Sequence, residues 1–247
     1  MSGGSNMQLG ILGGMGPLAT SDFFRKVIQM TDASSDQEHI HILVDNNTTI
    51  PDRTDYIINK SENPKRELVR SAIKLEIMGA DLIAIPCNTA HYFHADISKY
   101  TNIPIVNMIE ETAKYLLKEQ ASQKKYLLLA TTGTYASKVY QQTFDQWDLE
   151  IIEPNEMGKK TIMKWIYDLK SNQPSATKLS FDKLVEEASN GTCMPVILGC
   201  TELPVIKEVI GAEGVFIDPT SILAKKCVQF SKSELKGCFD EATEKGK

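Results

Sequence analysis

Leu9-Gly-Ile-Leu-Gly-Gly-Met-Gly-Pro-Leu-Ala19 is an apolar run that stops at two glycines and restarts at a proline. A short apolar run closed by glycine reads as a buried strand, and a proline just inside the next segment suits the first turn of a helix. The same order of strand, glycine-containing turn and helix returns in Leu127-Leu-Leu-Ala-Thr-Thr-Gly-Thr-Tyr-Ala-Ser137. A second echo pairs Ile83-Ala-Ile-Pro-Cys-Asn-Thr89 with Val196-Ile-Leu-Gly-Cys-Thr201. Two similar units in the same order predict a duplicated βα domain.

Outward from these stretches, short apolar runs alternate with longer amphipathic ones. Strands are expected at Gln8–Leu12, His39–Asp45, Asp81–Pro86, Ile103–Asn107, Lys125–Ala130, Leu149–Ile152, Val196–Leu198 and Val215–Asp218. Helices are expected at Pro17–Thr31, Asn63–Met78, Glu110–Glu119, Gly158–Lys170, Ser175–Ser189, Leu203–Val209 and Thr220–Lys236. Such alternation is the pattern of α/β domains, parallel sheets with helices on both faces. The polar stretch Lys118–Lys124 marks the break between units. The expected division is 7–118 with 212–247 returning to pack on it, and 119–211 as the second unit. Residues 1–6 read as a leader or a cloning remnant, with Met7 as the start.

The 247 residues carry a net charge of −5, 42% hydrophobic and 24% charged residues. This composition excludes a disordered, collagen-like or disulfide-scaffold protein. A mildly acidic surface argues against nucleic acid as a partner, since phosphate binding needs clustered Lys and Arg. No apolar run is long enough to span a membrane. The five cysteines, at 87, 193, 200, 227 and 238, form no CxxC pair, and no basic-then-apolar leader precedes them. Free thiols in a reducing cytoplasm are expected.

Cys87 and Cys200 each follow a strand, at the edge where open parallel sheets bind ligands. Backbone N–H groups and a helix N-terminus are expected there to favour a thiolate. Two thiols in matching positions of two units suit one chemistry: one takes a proton from one side of a carbon, the other returns a proton to the opposite side. The alternative is that both are buried small apolar side chains. Cys193, Cys227 and Cys238 read as packing or surface thiols.

At these residues the chain resembles the aspartate/glutamate racemase family, most closely its aspartate racemase branch. The resemblance rests on Gly10-Ile-Leu-Gly-Gly-Met-Gly-Pro17, Asn47-Thr-Thr-Ile-Pro-Asp-Arg-Thr54, Pro86-Cys-Asn-Thr-Ala-His91 and Leu198-Gly-Cys-Thr-Glu-Leu203. It implies two flavodoxin-like three-layer α/β/α domains with the active site in the cleft between them. It implies Cys87 and Cys200 as the acid/base pair, no cofactor (no pyridoxal phosphate, no metal), and a homodimer. The glutamate branch carries Asp-Ser after the first strand and a His near the second cysteine. Gly13-Gly14-Met15 and Glu202-Leu203 stand in those places here, which favours aspartate as substrate. Glutamate, a hydantoin or another short acid stays an alternative, as does a member that binds an acidic amino acid without turnover.

The remaining polar residues fit that expectation. Arg53, in a turn-like Pro-Asp-Arg-Thr segment, suits a bidentate carboxylate clamp, and the resemblance makes it a substrate contact. The resemblance places a second substrate cation at Lys170, near a helix end. Asn88 and Thr89 after Cys87, and Thr201 after Cys200, suit an α-carboxylate held at helix starts. Ala90 and Met15, the latter as an apolar wall, complete the expected contacts. Gly13, Gly14 and Gly16 are read as letting backbone approach the substrate. Thr131, Thr132 and Thr134 are read as the opposite wall. Glu202 either tunes Cys200 or is solvated. His91, His94, His39 and His41 lack the further ligands a zinc site needs.

Overall fold

The structure is a computed structural model that describes residues 7–231. The expected leader at 1–6, the last helix beyond Ser231, Cys238 and the end of the chain to 247 lie outside the described residues.

The first half runs β1 (Gln8–Gly13), α1 (Pro17–Met30), β2 (His41–Asn46), α2 (Arg53–Asn59), α3 (Lys65–Ile77), β3 (Leu82–Ala84), α4 (His94–Ile97), β4 (Ile105–Val106) and α5 (Met108–Glu119). The second runs β5 (Lys125–Ala130), α6 (Thr132–Ser137), α7 (Val139–Phe144), β6 (Glu150–Ile152), α8 (Glu156–Lys170), α9 (Lys178–Ala188), β7 (Val196–Gly199), α10 (Glu202–Ile210), β8 (Phe216–Ile217) and α11 (Pro219–Phe230). Each half forms a parallel four-stranded sheet, in the orders β2-β1-β3-β4 and β6-β5-β7-β8. The orders correspond strand for strand, so β1 matches β5 and β3 matches β7, as the internal echoes predict. This is a two-domain α/β fold.

The strand residues are apolar because both faces are covered. Leu9 and Ile11 of β1 pack with Phe23 and Val27 of α1. Leu12 of β1 and Ile83 of β3 pack on the other face with Leu68 and Leu75 of α3. In the second sheet, Leu128 and Ile197 meet Tyr140 and Phe144, while Leu127 and Leu129 meet Trp165, Ile166 and Phe181.

The chain crosses back later than residue 212. β8 pairs with β7 and so belongs to the second sheet. The crossing comes at Asp218, after which α11 sends Leu223, Cys227 and Val228 into the first core, beside Leu9 and Phe23. Asp218 pins this point: its Oδ1 accepts the Thr220 N–H at the start of α11, and its Oδ2 pairs with Lys26 Nζ at 2.9 Å. The reverse exchange occurs at α5. Its Ile109, Ala113 and Leu116 pack in the second core with Tyr126, Leu128 and Tyr140. An amphipathic pattern says that a helix has a buried face; it does not say which sheet that face covers.

The helices that sequence periodicity does not reveal are short. The segment at Arg53, expected to be turn-like, is the first turn of α2, capped by the Asp52 carboxylate accepting the Asp55 N–H. After Cys87 comes a five-residue 3-10 turn, Thr89–Phe93, before the four residues of α4. No helix among the described residues is long and apolar enough to cross a membrane.

Candidate active site

Cys200 directly follows β7, and Cys87 follows β3 after Ile85 and Pro86. Both stand at the carboxyl edges of their sheets, one per domain. Both are buried, and both thiols are free. They border a single cavity of about 20 Å³.

The Cys200 Sγ–H donates to Glu202 Oε2 at 2.9 Å, and the same oxygen accepts from Thr201 Oγ1 at 3.2 Å. Glu202 is itself buried, and Lys170 Nζ stands 3.7 Å from its Oε1. Burial first, then the Glu202 carboxylate, push the Cys200 thiol well above the ordinary cysteine range, against a smaller pull from Lys170. The expected low thiol pKa is therefore reversed at Cys200, because a desolvated sulfur beside a carboxylate outweighs a helix start. Lys170 ends α8. Burial works against its ammonium, but Glu202, Cys200 and Cys87 outweigh that and raise its pKa.

On the other side, the Cys87 N–H donates to Ile85 O at 2.8 Å, closing a tight turn. His91 Nδ1 lies 2.9 Å from Cys87 O, and the Met108 N–H donates to His91 Nε2 at 3.0 Å. A main-chain N–H can only donate, so Nε2 is the acceptor and Nδ1 carries the proton given to Cys87 O. Burial, with His94 next to it, pushes the His91 pKa down to about 4. His91 thus holds the Cys87 backbone as a neutral ring. His94, His39 and His41 line neither cavity described here. Among the described residues, no group of three or more His, Cys, Asp or Glu is placed to hold a metal ion.

Arg53 is 8% exposed. Its Nη1 donates to Pro51 O at 2.9 Å and Ile50 O at 3.3 Å, and its Nη2 donates to Met15 O at 3.3 Å. Its Nε has no partner, and among the described residues no carboxylate stands within ion-pair distance of it. Asn88 is also buried. Tyr140 OH donates to its Oδ1 at 2.6 Å, while its Nδ2 has no partner. Unpaired buried donors cost about 1–3 kcal/mol each, and both residues border the inner cavity.

The domains meet through hydroxyls. Thr89 Oγ1 lies 2.9 Å from both Thr131 Oγ1 and Thr134 Oγ1, which are 3.0 Å apart. In this ring each hydroxyl donates once and accepts once, so the Thr89 proton is committed to the second domain. Thr131 borders the inner cavity; Thr132 and Thr134 do not. Gly133 allows the approach, since a Cβ there would lie 2.6 Å from Thr54 Oγ1 and 2.7 Å from Thr54 Cα.

Other expected contacts divide. Met15 and Thr201 border the inner cavity. Ala90 does not; it is packed in the first core with Ile85 and Phe93. Gly14, at φ +94°, serves a protein contact: its Cβ would lie 2.3 Å from the Asn47 backbone. Gly14 and Gly16, but not Gly13, border a second cavity of about 340 Å³ that adjoins the first.

A family model described as Asp/Glu/Hydantoin racemase matches residues 12–227. The chain belongs to this family. It is 32% identical over 225 residues to the broad specificity amino-acid racemase RacX of Bacillus subtilis, across 89% of this chain and 96% of that relative. The aspartate racemase of Picrophilus torridus superposes with a TM-score of 0.81 at 30% identity, across 95% of this chain and 98% of that one. The glutamate racemase of Francisella tularensis, in complex with D-glutamate, gives a TM-score of 0.67 at 17% identity, across 91% and 81% of the two chains, and shares the fold. The match to the Asp/Glu/Hydantoin racemase family thus runs through both halves of the chain.

Proposed function

We propose that this protein is an amino-acid racemase that interconverts L- and D-aspartate by two-base proton transfer between Cys87 and Cys200, without pyridoxal phosphate. The observation that carries the reading is one cavity bordered by both cysteines and by Arg53 and Asn88, two residues that each hold a buried donor without a partner. Names of relatives add support: an aspartate racemase and a broad specificity amino-acid racemase are among them.

In one direction, the Cys87 thiolate takes the α-proton and the electron pair stays on the α-carbon, delocalised into the carboxylate. The Cys200 thiol then delivers its proton to the opposite face. Cys87 ends as thiol and Cys200 as thiolate, and the reverse reaction exchanges the roles. The bond from Cys200 Sγ to Glu202 makes Cys200 the acid of the resting enzyme. An α-proton is weakly acidic, so the developing charge on the carboxylate needs preorganised donors. Arg53 and Asn88 supply them from the first domain, and Lys170 adds a cation from the second. The inner cavity holds about one water molecule, so substrate entry requires the domains to part and reclose. A homodimer belongs to the same proposal and is read from the mass in solution.

The test is purified protein with L-aspartate and D-aspartate separately, followed by circular dichroism. Decay of both signals to zero at a rate unaffected by added pyridoxal phosphate supports the reading. Persistence of either signal overturns it.

A further inference from the structure

The inner cavity has space for the reacting centre of an amino acid only after opening, and none for a side chain. The adjoining chamber is different. At about 340 Å³ it lies at the small end of ordinary ligand sites, which run from about 300 to 1,000 Å³. The two spaces share Met15, Asp52, Arg53, Lys170, Thr201 and Glu202, which stand between them and would form a neck once the domains part. Both domains build the chamber beyond it, from the loop after β1, the start of α1, the approach to α2, the end of α8 and the start of α10.

The cations that line the chamber, Arg53 and Lys170, both stand where the two spaces meet. There the cations Arg53 and Lys170 stand among the carboxylates of Asp52 and Glu202, so the neck as a whole carries no net charge. Beyond it the wall is mostly apolar, with Leu18, Ile50, Leu169 and Val205 as its large side chains and Thr48 as its one uncharged polar one. The one charged residue there is Asp22, which is already paired with Arg25 and Lys26. A carboxylate as short as that of aspartate stays at the neck, within reach of a cation. A longer side chain enters an apolar space that offers no cation to a terminal carboxylate but returns the hydrophobic gain of burial to a hydrocarbon one, about 25 cal/mol per Å².

We propose that this chamber receives the substrate side chain, and that the enzyme therefore also racemises uncharged amino acids of leucine to phenylalanine size. The proposal rests on the amino-acid racemase reading above and extends its substrate class. Leucine, methionine and phenylalanine are turned over, while glutamate, whose carboxylate reaches past the neck, gains nothing over aspartate.

The experiment measures kcat/KM for aspartate, glutamate, leucine, methionine and phenylalanine in the unaltered protein, in Val205→Phe and in Leu18→Trp. The second variant lies on the exposed lip of the chamber, where a larger ring is tolerated by the fold. Filling the chamber is expected to lower the phenylalanine-to-aspartate ratio by about tenfold or more. If the unaltered protein racemises aspartate but none of the three uncharged amino acids, the chamber is not a side-chain site and the inference fails alone. An unchanged ratio in both variants, with all substrates slowed equally, makes the chamber an entrance and also overturns it. If no amino acid loses its optical signal, the racemase reading fails and takes the inference with it.

Discussion

Cys200 and Glu202 share a hydrogen bond of 2.9 Å inside the protein, thiol to carboxylate. A buried sulfur beside a buried carboxylate keeps its proton, so Cys200 is held as a thiol before any substrate arrives. Glu202→Gln removes the charge and leaves an oxygen to accept the S–H. The Cys200 thiol is expected to titrate lower in that variant, because the carboxylate charge that helps to hold its proton is gone. Ultraviolet titration of thiolate, with Cys200→Ser subtracted to isolate this sulfur, reads the change. An unmoved titration would show that Glu202 does not set the state of Cys200.

Arg53 offers a buried guanidinium with backbone carbonyls on two nitrogens and nothing on Nε. Arg53→Lys keeps the charge and loses the fork. Charge-assisted bonds of this kind carry about 1.5–3 kcal/mol, so KM should rise by about tenfold to a hundredfold, with kcat less affected. Steady-state kinetics by circular dichroism, beside a thermal melt, checks this. A KM equal to that of the parent would remove Arg53 as the anchor.

Gly133 touches Thr54 across the domain boundary. Alanine is a better helix former than glycine, so Gly133→Ala should leave α6 intact while its methyl group pushes the domains apart. A loss of about tenfold or more in kcat/KM, with the melting temperature little changed, is expected. Thr89→Val tests the same closure by breaking the hydroxyl ring. Full activity in both variants would separate closure from catalysis.

His91 gives the stability of the fold a pH dependence. Its folded pKa of about 4 lies below the ordinary histidine value of about 6.5. The unfolded chain therefore binds more protons between these values, and stability present above pH ~6.5 is lost as pH falls towards ~4. The loss amounts to about 3 kcal/mol. Gln can repeat both bonds of the ring without titrating, so His91→Gln should flatten this part of the curve. Urea unfolding at a series of pH values measures it; parallel curves for the two proteins would refute the assignment.

Much of this was legible in residue order. The repeated strand–turn–helix units located both sheets, because strands buried on two faces must be apolar throughout. The two cysteines stood out because they follow equivalent strands. Arg53, Lys170, Met15, Asn88, Thr89 and Thr201 all border the inner cavity. What residue order hid is tertiary. The exchange of α5 and α11 between domains depends on which sheet a helix meets. The short α2 and α6 are held by caps at Asp52 and Thr131 rather than by a long apolar stripe. The role of His91 depends on Met108, far along the chain, and the raised Cys200 pKa depends on a burial that local sequence does not report. The Glu202 contact had a visible signal, a carboxylate two residues from a cysteine at a strand end.

In the proposed racemisation two sulfurs act from opposite sides of one carbon. Racemisation in heavy water, sampled during early turnover from each pure enantiomer, tests it directly. With two bases, solvent deuterium appears at the α-carbon of the product enantiomer while the remaining substrate keeps its hydrogen, in both directions. Equal early deuterium in substrate and product, the mark of one base serving both faces, would contradict it.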